Sequence, residues 1–318
     1  MNDQTAAAEP AAAAAVAVPE VVASPALGGP ERPGGRRAAL APVALVVAGA
    51  LSVQFGAAIA VLLMPRAGAL GVVTLRLAAA ALVLLVVCRP KLRGHSRADW
   101  GTVVAFGIAM GGMNTLFYQA ADRIPLGAAV TLEVLGPLAL SVIASRRLVN
   151  VVWAALALGG VVLLSGGGFD RLDPVGAAYA LGAGVMWAAY IVFSARTGRR
   201  FPQADGLALA MVVAALLSLP LGIMDAGSRL LVPTTLGLGA AVALLSSVLP
   251  YTLELIALRR LPAPTFAILM SLEPAIAAMA GFLILHQALS VTDALAIALV
   301  IGASMGAVRS QVRGVSKR

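Results

Sequence analysis

Charge is scarce in this 318-residue chain: Asp, Glu, Lys and Arg together supply 12% of it, about half the roughly 25% of an ordinary soluble domain. So few charges exclude a typical soluble enzyme. Cysteine is almost absent, Cys88 being the only one, which excludes a disulfide scaffold and metal sites built on several cysteines. Aromatics reach 5%, and His95 and His286 are the only histidines. The 33 glycines follow no three-residue period, so collagen is excluded too. What the chain has is apolar surface: 60% of residues are hydrophobic and the mean hydropathy is +0.96. That leaves room for eight to ten membrane helices of about 20 residues each.

Residues 1–39 form an Ala- and Pro-rich stretch without a spanning run, expected to be a disordered cytoplasmic tail. It does not read as a cleavable signal peptide, because the first apolar run follows Arg36 and Arg37 and, at about 23 residues, exceeds the 7–15 of a signal core. Thereafter apolar runs alternate with short charged or Pro/Gly-bearing links. They predict an all-α integral membrane protein of ten helices: Ala41–Leu63, Ala69–Val87, Gly101–Ala120, Pro125–Ser145, Val149–Leu164, Val175–Ser194, Asp205–Ile223, Leu236–Leu258, Pro262–Leu285 and Val291–Val308. With the N-terminus inside, eighteen of the 23 Lys and Arg fall in cytoplasmic segments, including the basic tail 309–318. Only Arg66, Arg123, Arg171 and Arg229 fall on the opposite side, and Arg76 lies within a span. Positive charge sets orientation, so both termini are expected in the cytoplasm. The net charge of +9 then needs no nucleic-acid partner.

The chain repeats itself. A shift of 137 residues aligns Thr115-Leu116 with Thr252-Leu253, Ala120 with Ala257, Arg123 with Arg260, Pro125 with Pro262, Leu132 with Leu269, Leu135 with Leu272 and Pro137 with Pro274. A shift of 132 aligns Pro42-Val43 with Pro174-Val175, Ala57 with Ala189 and Ile59 with Ile191. Helices 1–5 (residues 40–166) and 6–10 (174–308) therefore read as two copies. Five is odd, so the second copy enters the membrane from the other side. Inverted repeats of this kind are a recurring transporter architecture, with the substrate site near the midplane between the halves.

An ionisable side chain at the bilayer centre costs about 2.5–3.5 kcal/mol on insertion scales. Glu133 and Glu273 both fall near mid-membrane, in helices 4 and 9; Arg76 lies a third of the way into helix 2, and Glu254 towards the cytoplasmic end of helix 8. These groups must be paired, hydrated or protonated. A buried Arg–Glu pair that only fastens helices is one reading; a transport pathway is the other, and intramembrane charges usually mark pathways. Ser247, Tyr251 and Glu254 form one polar stripe on helix 8, and Asn114 and Tyr118 another on helix 3, each expected to face a cavity. Pro137, Pro250 and Pro274 lie inside helices, where each removes a backbone hydrogen bond.

Other patterns have blander explanations. Gly302 and Gly306 make a GxxxG read as internal packing. The same stretch imitates a hydrolase GxSxG around Ser304, without a histidine at its depth. Ser290 and Asp293 read as a capping box. No P-loop, HExxH or dinucleotide fingerprint occurs, so no cofactor or metal is expected.

Several segments taken together resemble a known family: Gly111-Gly112-Met113-Asn114-Thr115-Leu116-Phe117-Tyr118, Pro125-Leu126-Gly127 with Leu132-Glu133 and Gly136-Pro137, Leu249-Pro250-Tyr251 with Leu253-Glu254, and Met270-Ser271-Leu272-Glu273-Pro274. They are similar to the threonine/homoserine exporters of the EamA-type drug/metabolite transporter superfamily, as is Val73-Thr74-Leu75-Arg76-Leu77. The resemblance implies inner-membrane efflux of small neutral amino acids, coupled to protons, by a monomer or homodimer in the lipid bilayer. On this basis Arg76 is expected to hold the substrate carboxylate and Glu133 its ammonium. Asn114, Tyr118, Tyr251 and Glu254 are expected to contact the substrate, and Glu273, or else Glu133 or Glu254, to carry the proton. Export of another small metabolite or a drug is the alternative; a passive channel and a scaffold are further classes. His286-Gln287 stands where many relatives show an acidic residue.

Overall fold

The computed structural model describes residues 36–145, 148–164, 172–201, 205–250, 253, 257 and 263–315. Among these there are helices and short links and no strand. Tyr251 and Glu254 lie outside the described residues, as does the 1–35 portion of the expected tail.

The first element, α1 (Arg36–Cys88), runs 53 residues and breaks at Gly68, whose φ of 66° and ψ of 163° are not helical. A straight helix of that length would measure about 80 Å, against a hydrocarbon core of about 30 Å, so the break divides it into two segments, 36–67 (α1a) and 69–88 (α1b). That backbone region is essentially restricted to glycine. A Cβ there would also fall on the Asp225 carboxylate, which accepts the Leu70 N–H at 3.0 Å and caps α1b. Gly68→Ala should therefore cost about 1–3 kcal/mol, read as a lower melting temperature in detergent.

Helix α2 (Arg97–Ala121) begins four residues before the expected Gly101, because Ser96 and Asp99 form a capping box. The expected helix 4 is interrupted: α3 (Leu126–Glu133) and α4 (Leu135–Ser145) meet at Val134. Next come α5 (Leu148–Leu164), α6 (Pro174–Gly198) capped by Asp173, and α7 (Asp205–Ala226). A 3-10 turn (Gly227–Leu231) leads to α8 (Pro233–Ala243), which continues into a π turn, Leu244–Val248. The expected helix 9 is interrupted as well, into α9 (Ala263–Met270) and α10 (Glu273–Leu285), and α11 (Val291–Val315) follows. The interruptions at residues 134 and 271 lie 137 residues apart, the spacing of the sequence repeat. Proline explains both. Pro137 cannot donate to the Glu133 carbonyl, nor Pro274 to that of Met270, so each helix loses a bond one turn before its proline.

Six helices among the described residues are long and apolar enough to cross a membrane. The heaviest packing joins residues before 165 to residues after 173: α1 with α7, α2 with α6 and α7, α5 with α11, α1 with α8, and α3 with α10. Glycines permit the closest approaches. A Cβ on Gly136 would fall on the backbone of Gly184 in α6. Gly306 receives the ring of Trp153 from α5, whereas nothing lies within 4 Å of a Cβ at Gly302, so only half of the GxxxG packs internally. The Ser290–Asp293 box forms as expected, with Asp293 Oδ2 accepting from the Ser290 N–H at 3.0 Å and hydroxyl at 2.7 Å.

The ion pairs between the halves among the described residues lie at the two ends of the bundle. At one, Arg123 Nη1 donates to Asp173 Oδ2 at 3.2 Å. The Val175 N–H, and after it Arg123, hold the Asp173 carboxyl below the ordinary carboxylate range. At the other, Arg200 Nη1 donates to Asp99 Oδ1 at 3.1 Å and the Lys91 N–H to Asp205 Oδ2 at 3.3 Å.

Candidate functional site

Arg76 joins three elements inside the bundle. From α1b its Nη1 donates to Tyr118 Oη of α2 at 3.0 Å, its Nη2 to the Ser246 carbonyl at 2.9 Å and its Nε to Ser247 Oγ at 3.4 Å. Its guanidinium carbon lies 5.5 Å from the centre of the Tyr118 ring, and Tyr118 is completely buried.

The Ser246 carbonyl is available because of Pro250. In an α-helix the carbonyl of residue 246 would accept from the N–H of residue 250, which proline lacks. The carbonyl of Leu245 is stranded by the same residue: its α-helical donor, the Leu249 N–H, turns instead to Leu244, and its π-helical donor would again be Pro250. Ser52 Oγ of α1a fills that vacancy at 2.5 Å, and Gly56 lets α1a approach the turn. A π turn beside a proline thus presents two main-chain acceptors to other helices, and Arg76 takes one.

Glu133 is the last residue of α3 and is 9% exposed. It makes no ion pair among the described residues. Arg76 is the charge acting on it, from beyond the 4.0 Å reach of a salt bridge. Gly184 of α6 sits against its main chain, where a Cβ would come within 2.6 Å of the Glu133 carbonyl oxygen. Glu133 stands at the C-terminal end of α3, where Pro137 withholds the N–H that the Glu133 carbonyl would accept. Glu273 stands at the opposite kind of end, the first turn of α10, and is 7% exposed.

The other expected residues divide. Tyr118 is brought to Arg76; Asn114, 6% exposed, donates its amide to the Met110 carbonyl of its own helix at 2.9 Å. The sequence reading named Ser247 and missed Ser52 and Ser246, although a serine four residues before an intrahelical proline marks a carbonyl in need of a donor. It also missed how Gln287 acts. Gln287 Oε1 accepts the Leu126 N–H at 3.0 Å, capping α3 from the link after α10. Gln287→Leu should strip that cap and cost about 1 kcal/mol, visible as a lower melting temperature.

Comparison with known proteins adds to this geometry. The model of the EamA-like transporter family matches residues 174–309. The threonine/homoserine exporter RhtA of Escherichia coli K12 is 42% identical over 267 residues, covering 83% of this chain and 90% of the exporter. RhtA of Salmonella typhimurium LT2 matches to the same extent. An uncharacterized transporter of Bacillus subtilis, YwfM, is 28% identical over 242 residues, 73% of this chain and 81% of its own. A solved structure described only as a crystal structure of a protein aligns with a TM-score of 0.52 at 20% identity, covering 83% of this chain and 97% of that one, a likeness of fold.

Proposed function

The chain belongs to the EamA-like transporter family of the drug/metabolite transporter superfamily, and from that membership we propose that it exports small neutral amino acids, threonine and homoserine foremost, by proton-coupled alternating access across the cell membrane. Its relatives are multi-pass membrane transporters rather than enzymes.

The observation that carries the substrate class is the presence of Arg76 and Glu133 inside the bundle without an ion pair between them. Arg76 is a cation fixed by three bonds to two other elements, and Glu133 is a buried acid with which it forms no ion pair. We assign the carboxylate of a zwitterionic substrate to Arg76 and its ammonium to Glu133. Asn114, Tyr118, Tyr251 and Glu254 are the further substrate contacts of this proposal, Tyr251 and Glu254 lying outside the described residues. Glu273 carries the proton, with Glu133 and Glu254 the other candidates. One charge moved through roughly 150 mV supplies about 3.5 kcal/mol, enough for a gradient of a few hundredfold.

The transport cycle rests on ten helices arranged as two inverted copies with both termini cytoplasmic, working as a monomer or homodimer. The equal spacing of the two interruptions and the crosswise pairing of α1 with α7, α5 with α11 and α3 with α10 support that arrangement. The interruptions act as hinges between the Gln287 and Arg123–Asp173 contacts at the outer end and the Asp99–Arg200 contact at the inner end.

Competition tests the substrate reading. Threonine amide, which lacks the carboxylate, and the hydroxy acid that lacks the ammonium should each fail to compete with labelled threonine for export. Competition by either at the level of unlabelled threonine would sink the two-point site and favour export of another small metabolite or a drug.

A further inference from the structure

Three buried side-chain oxygens have no hydrogen-bond partner among the described residues: Gln54 Oε1, Thr197 Oγ1 and Ser304 Oγ. Two are hydroxyls, which can rotate towards a carbonyl of their own helix. The third is a carboxamide oxygen, an acceptor only, on a side chain 4% exposed. Buried acceptors are almost always satisfied, so an orphan calls for an explanation.

Its position supplies one. Val46, Ala50 and Gln54 follow one another at four-residue intervals along a single ridge of α1a. At the start of that ridge Val46 packs with Phe266 of α9 and with Ala257, and α1 packs against both α9 and α10. Gln54 lies two turns further along the ridge, about 12 Å from Val46. Ser52 and Gly56, on the other side of the same segment, meet the π turn that holds Arg76. The orphaned oxygen therefore belongs to a segment wedged between the two irregular stretches of the second half.

We propose that Gln54 is a specificity-determining residue whose carboxamide oxygen accepts the side-chain hydroxyl of the transported amino acid. The assignment rests on the exporter reading and deepens it. Carboxylate and ammonium already have charged partners in Arg76 and Glu133, and a neutral acceptor suits the remaining neutral donor. Threonine and valine have nearly the same shape, so an apolar pocket separates them weakly. An acceptor that valine would leave unpaired separates them strongly.

The test uses the full chain in proteoliposomes loaded with labelled threonine, with unlabelled threonine or valine as competitor. The wild-type protein should prefer threonine by at least about 100-fold. Gln54→Met, close in volume and without an acceptor, should bring valine to within about fivefold of threonine while the melting temperature holds or rises, since an orphan is removed. A Met variant that keeps the wild-type preference overturns the assignment and leaves the exporter reading standing. Should that variant not fold, thermal shift on the wild type decides: stabilisation by threonine and homoserine but not valine supports the role, and equal stabilisation by valine overturns it. Wild-type protein that neither exports nor is stabilised by threonine removes the exporter reading and this assignment together.

Discussion

Threonine export by Arg76→Lys is expected to fall about a thousandfold in kcat/KM. The guanidinium spreads its donors over a planar fork, and three of them reach Tyr118 Oη, the Ser246 carbonyl and Ser247 Oγ in different directions. A lysine ammonium offers its donors from one atom and cannot span those acceptors while also meeting a carboxylate. Losing two charge-assisted bonds at about 1.5–3 kcal/mol each removes roughly 4 kcal/mol, which is about three decades. The variant keeps the charge, so a fall in export reports geometry rather than electrostatics. Its melting temperature should fall too, because the carbonyl that Pro250 leaves unserved loses its donor. Wild-type export by the Lys variant would reduce Arg76 to a source of positive charge.

Glu133→Gln should cost about 100-fold, appearing mainly as a raised KM. Glutamine preserves shape and volume, so α3 and its contact with Gly184 are retained, and what disappears is the negative charge facing the ammonium. A hydrogen bond to a charged group contributes about 1.5–3 kcal/mol, or one to two decades. Glu133→Asp separates charge from reach: it should export better than Gln and less well than wild type. Equal export by Gln and wild type, measured as efflux from proteoliposomes, would remove the ammonium role.

Much of this organisation is legible in the sequence, for identifiable reasons. Apolar length placed the helices, and Arg76, Glu133 and Glu273 stood out because charge is scarce within apolar runs. Pro137 and Pro274 marked the stretches that are interrupted, since a missing N–H is a local fact. Gly68 was less legible. The sequence shows a glycine in a link, whereas its backbone conformation and the Asp225 cap appear only when α1 meets α7. Capping by Gln287 joins residues 161 positions apart, and no local pattern announces it. Gln54 was overlooked because a lone amide in an apolar helix carries no periodic signal; what distinguishes it is the absence of a partner, which depends on every neighbouring helix. Gly302 and Gly306 show the converse. The motif is local, but only the position of Trp153 decides which glycine is used.

The most direct test of the account is efflux of labelled threonine and homoserine from preloaded proteoliposomes of defined protein orientation, with and without an imposed proton gradient. The account predicts efflux of both that the gradient stimulates and excess unlabelled homoserine blocks. Folded protein that releases neither compound faster when the gradient is imposed would contradict it.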